Sequence, residues 1–139
     1  MTWVDDRHAK QQKIQRESPE AWDRLREVMR QSTDSFRTRF AEEEKLDLKV
    51  AQPLRQFSIS ISGPNRPYET AVFSLDTSNC AICRENVPVP GSRTRQTELE
   101  VLKIDVDDGD TISWVFDGKR VNDEQASEIL LKPILFPND

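Results

Sequence analysis

A chain of 139 residues is long enough to bury about two-thirds of its unfolded surface in one domain, so a core forms without disulfide or metal staples. Charged residues make up 32% and hydrophobic residues 35%, a balance that places part of the chain outside the core, the N-terminus first of all. The net charge of −5 argues against sequence-independent binding to nucleic acid or anionic lipid, since both depend on a cationic surface.

The charge is uneven. Residues 1–40 carry nine Lys and Arg against seven Asp and Glu, and the remainder carries eleven against eighteen. A two-charge excess is too small for a nucleic-acid arm. The opening MTWVDDRHAK lacks an apolar leader core, and no apolar run approaches the ~20 residues of a membrane span, so the expected setting is cytoplasmic, with no membrane partner. Two cysteines in such a chain are then expected as reduced thiols.

Residues 1–17 read as a polar N-terminal extension, helical or frayed, because Trp3, Val4 and Ile14 are too sparse to define a stripe. Residues 18–139 read as a single α+β domain. Ser18-Pro19-Glu20 has the form of a helix start: a capping hydroxyl, a proline at the first helical position and a carboxylate at the positive end of the dipole. Trp22, Leu25, Met29, Ser32, Phe36 and Phe40 then recur at steps of three and four, which predicts a helix over 19–44.

From Leu54 the period becomes two, with Phe57, Ile59 and Ile61 alternating against serines. GPNRP at 63–67 turns that strand into a second, Tyr68 to Leu75. A third strand, TELEVLKIDV, changes parity between Val101 and Leu102, so it is either covered on both faces or bulged there. DDGD at 107–110 leads into a fourth strand carrying Ile112, Trp114 and Phe116. Asn122 and Gln125 form a capping box for a short last helix that Pro133 ends, followed by an apolar tail, Ile134, Leu135 and Phe136. The expected fold is thus α+β: a long N-terminal helix, a four-stranded antiparallel, meander-like sheet, and a short C-terminal helix.

Candidate chemistry centres on segment 77–94, longer than a hairpin needs, which holds Cys80 and Cys83 as C-x-x-C. Two thiolates and the distant His8 are half of a zinc site, which a second subunit would have to complete. A redox pair would want the first cysteine at a helix N-terminus after a parallel strand, which this context lacks. The plainer reading makes both small apolar residues packing a loop onto the sheet. Asp105, Asp107, Asp108 and Asp110 invite a calcium reading, but Gly109 falls fifth rather than sixth, so a solvated turn is favoured.

No catalytic set stands out. The leading expectation is therefore a non-catalytic protein-interaction or adaptor domain, with homodimer formation as one form of it and the apolar tail or the long loop as the contact. The alternatives are a small-ligand-binding or enzymatic domain with a pocket lined by Trp22, Phe57, Tyr68 and Trp114, and a thiol or zinc protein using Cys80 and Cys83.

Overall fold

The structure is a computed structural model that describes residues 2–87, 97–107 and 111–137. Its elements are helix α1 (Trp3–Phe36), a π-helical turn (Arg37–Ala41), strand β1 (Asp47–Ala51), a 3-10 turn (Pro53–Arg55), strands β2 (Phe57–Gly63), β3 (Arg66–Asp76), β4 (Ala81–Val87), β5 (Thr97–Val106), β6 (Ile112–Phe116) and β7 (Lys119–Val121), and helix α2 (Asp123–Leu135). The strands form one antiparallel sheet in chain order, each paired with its neighbours in sequence. The α+β expectation with a long first and a short last helix holds, but the sheet has seven strands rather than four.

α1 starts sixteen residues before Pro19, at a capping box in which the Thr2 hydroxyl accepts from the Asp5 amide and the Asp5 carboxylate accepts from the Thr2 amide. The Ser18-Pro19 signal is thereby overruled, and Pro19 lies inside one continuous helix. At ~1.5 Å per residue, the 34 residues of α1 span about 50 Å, whereas seven strands at ~4.8 Å spacing span about 29 Å. The helix therefore overhangs. Its first buried residue is Ile14, and the turns before it are solvent-exposed. From there Ala21, Trp22, Leu25, Met29 and Phe36 lie against the sheet, while the outer side carries ion pairs such as Arg30 with Glu27 and Asp34.

The core face of the sheet begins with Phe57, Ile59 and Ile61 of β2, opposite Phe73, Ala71 and Glu69 of β3, and continues through Ile82, Leu102, Ile104 and Trp114. The serines of β2 belong to the other row, where the Ser60 and Thr70 hydroxyls bond at 2.9 Å. Between β4 and β5 the pairing passes from Ile82 with Leu102 to Cys83 with Glu100, which leaves Val101 without a partner. That bulge explains the change of parity at Val101 and Leu102.

Three strands escaped the pattern, each for a physical reason. β1 does alternate, Leu48 buried and Val50 half-buried between exposed neighbours, but over five residues with two apolar anchors the period is too short to stand out. β4 runs through the supposed long loop: Ala81, Ile82 and Cys83 are all buried and Arg84, Glu85 and Asn86 follow as a polar run, so no period of two exists to read. β7 has three residues, reached through a tight turn in which Asp117 and Gly118 both have positive φ. The four aspartates of DVDDGD include Asp108 and Asp110, which lie outside the described residues.

At the end of the chain α2 starts at the expected Asn122–Gln125 capping box. Pro133 does not end the helix, which runs on to Leu135. Ile134 and Leu135 are buried, and Arg66 of β3 donates from Nη1 to the Leu135 carbonyl at 3.0 Å, fastening the free end of the helix to the β2–β3 hairpin.

Candidate functional site

Three of the four aromatic residues expected to line a pocket lie in the core, and the fourth does not. Trp22, Phe57 and Trp114 are at most 3% exposed and belong to one apolar cluster. Their polar atoms are committed inward: the Trp22 indole donates to the Arg55 carbonyl at 2.6 Å and the Trp114 indole to the Asp123 carboxylate at 2.8 Å. Tyr68 is 45% exposed, in the row of Thr70 and Ser60, and hydrogen bonds from those two hydroxyls hold its phenol below the usual range. The structure does not bring the four together.

Cys80 is half-buried in the turn before β4, with φ 51°, and its thiol points to the Thr77 carbonyl at 3.8 Å. Cys83 is buried within β4. Burial, and after it the Asp76 carboxylate, push the Cys80 thiol above the ordinary range, opposite to what a reactive thiolate requires. Among the described residues no three His, Cys, Asp or Glu side chains stand close enough to hold a metal ion, and His8 is on the exposed part of α1. Cys80 is accordingly expected to react with iodoacetamide more slowly in the folded protein than in urea at the same neutral pH. Mass spectrometry of timed quenches reads the rate, and a faster reaction in the folded state would restore the redox reading.

A different place has the form of a binding site. α1 and α2 run side by side in the same direction: the Ser32 and Ser127 hydroxyls meet at 3.0 Å, and four residues further along α1 the Phe36 ring meets Phe136 edge-on with centroids 5.2 Å apart. Phe40 completes the cluster at 5.6 Å from Phe36 and 6.1 Å from Phe136. Between the helices lies a groove of about 500 Å³ with Phe36, Leu131 and Leu135 in its floor. Its rim has two signs of charge, Glu124 and Glu128 near the start of α2, Arg39 and Lys132 near the far end.

The π-helical turn positions Phe40. Phe40 lies in this turn, just before the buried Ala41, and its ring stays in contact with Phe36. Phe40 is 39% exposed and Phe136 42%, so both stand at the mouth of the groove rather than in its floor.

No family model matches the chain, and neither a curated protein nor a solved structure matches it. The groove was half legible. Phe36 and Phe40 appear in the helical stripe and Phe136 in the apolar tail, but 96 residues of sequence separate Phe40 from Phe136, and only folding places them in contact. Among the described residues no helix is long and apolar enough to cross a membrane.

Proposed function

We propose that the chain is a non-catalytic protein-binding domain that takes a segment of its partner into the groove between α1 and α2. The observation that carries this reading is the pair of exposed rings, Phe40 and Phe136, each packed against Phe36 and therefore rigid, at the mouth of an apolar groove. Aromatic anchors held in place lose little entropy on binding and are the residues that dominate interfaces. The rim sets the partner's chemistry. A segment that seats an aliphatic or aromatic side chain between the rings meets Glu124 and Glu128 with a cation at one end, and Arg39 and Lys132 with an anion at the other.

Selection from a displayed peptide library tests this. Enriched sequences are expected to carry an apolar anchor flanked by a basic and an acidic residue. Binding should move the NMR signals of Phe40 and Phe136 and fall by about tenfold or more in Phe136→Ala, on the scale of an interface anchor. Peptides that lack the two-sign pattern, or bind Phe136→Ala as well as the parent, would sink the reading. Native mass spectra that show a dimer lost in the same variant would make the partner a second copy of the chain.

A further inference from the structure

We propose that a second site, the cavity between the overhanging turns of α1 and the β4–β5 end of the sheet, binds a small phosphate monoester. Three cations from two separate stretches of a chain with net charge −5 line this cavity of about 530 Å³: Arg7 and Lys10 on α1, and Lys103 on β5. The carboxylate that lines it among the described residues, Asp105, is already matched by Lys10 at 3.1 Å and by Arg120 at 3.7 Å. Burial works against ionisation of Asp105, but the Val106 amide, Lys10 and Arg120 outweigh it and hold the carboxyl below its usual range, so the group is ionised and spoken for.

Arg7 and Lys103 are different, because neither has a carboxylate within ion-pair distance among the described residues. Two positive charges therefore border one concavity without a carboxylate partner among the described residues, and a phosphate dianion neutralises them. A carboxylate near Cys80, that of Asp76, is tied to the Asn79 amide and side chain at 3.2 and 2.7 Å and does not compete for them. Ser78 supplies a hydroxyl donor at the wall, and Ile14, Ile104 and Val115 supply apolar surface for the ester's organic body. An adjoining hollow shares Arg7 and Lys10 and is bounded by Trp3, which is 76% exposed, so an aromatic body has an indole to lie against. Two unmatched cations beside apolar walls match a small anionic ester, which is why a soluble ester is the occupant.

Cys80 lines the same cavity and serves as its reporter. Phenyl phosphate is the probe, with inorganic phosphate for the anion alone and phenol for the body alone. With phenyl phosphate at about ten times its dissociation constant, iodoacetamide labelling of Cys80 should slow roughly tenfold by mass action, and Trp3 fluorescence should change along the same titration. Inorganic phosphate should protect at higher concentration and phenol not at all. Arg7→Glu and Lys103→Glu, both at exposed positions, should abolish protection while retaining the parent's far-UV circular dichroism. Lys132→Glu, in the α1–α2 groove, should leave protection intact. Absence of protection at any soluble concentration, equal protection by phenol, or protection that survives in both variants of the cavity would overturn the assignment.

Discussion

Trp22→Ala is expected to lower the unfolding free energy by about 3–5 kcal/mol, the range for truncating a fully buried large aromatic residue. Trp22 is 1% exposed and joins α1 to the sheet core, so the indole leaves a cavity that its rigid neighbours fill only in part. A second effect adds to the lost packing. The indole N–H holds the Arg55 carbonyl in the β1–β2 connection, where Leu54 and Arg55 both have positive φ and Leu54 is 94% exposed. Two left-handed non-glycine residues in succession persist only when their surroundings hold them. Trp22→Phe separates the two contributions: it retains most of the apolar area and removes the donor, with an expected loss of about 1–3 kcal/mol. Urea midpoints of the two variants measure the difference. No loss in Trp22→Phe would mean that the Arg55 bond contributes nothing.

Pro19→Ala acts in the opposite direction, with an expected gain of up to about 3 kcal/mol. Proline inside a helix lacks the amide that would bond the carbonyl four residues back, that of Gln15, and its ring crowds the same carbonyl. In the structure Pro19 lies at the middle of α1, after the first buried residues Ile14 and Ser18. Its neighbour Ser18 is fully buried with a hydroxyl that has no partner among the described residues, so this point of the helix is doubly unfavourable. Alanine restores the bond and should raise the urea midpoint. A midpoint that stays or falls would show that the missing amide of Pro19 costs nothing at this point of the helix.

Ser18-Pro19-Glu20 shows how far local signals reach. All three residues have the right chemistry for a helix start, yet the Thr2–Asp5 box lies upstream and the chain between them is helical despite its polarity. The buried stripe that holds α1 in place starts at Ile14, and a helix once formed extends at small cost per residue through polar turns. Nothing in DDRHAKQQK marks those turns as helical by periodicity. The cavity cations suffer the same fate: Arg7 and Lys10 share a helix face with Ile14 only if the helix is known to start at Trp3.

The C-x-x-C pair makes the complementary point. As a sequence it suggested a loop with metal or redox chemistry open, because turn formers surround it and no alternation accompanies it. In the fold it straddles the start of β4, Cys80 in the turn and Cys83 inside the sheet. Those positions depend on pairing with β3 and β5, a tertiary fact.

What the amino-acid order determined alone is whatever rests on contacts a few residues apart: the apolar stripe of α1 from Trp22 to Phe36, the alternation of β2 and the capping box of α2. Each follows from a helical or strand repeat or from a side chain reaching its own backbone. The tertiary structure decided the seven-stranded order, the burial of Trp22, Phe57 and Trp114 away from Tyr68, and the meeting of Phe36 and Phe40 with Phe136. Such long-range meetings follow from which faces must leave water together, a property of the assembled sheet and helices rather than of any short stretch.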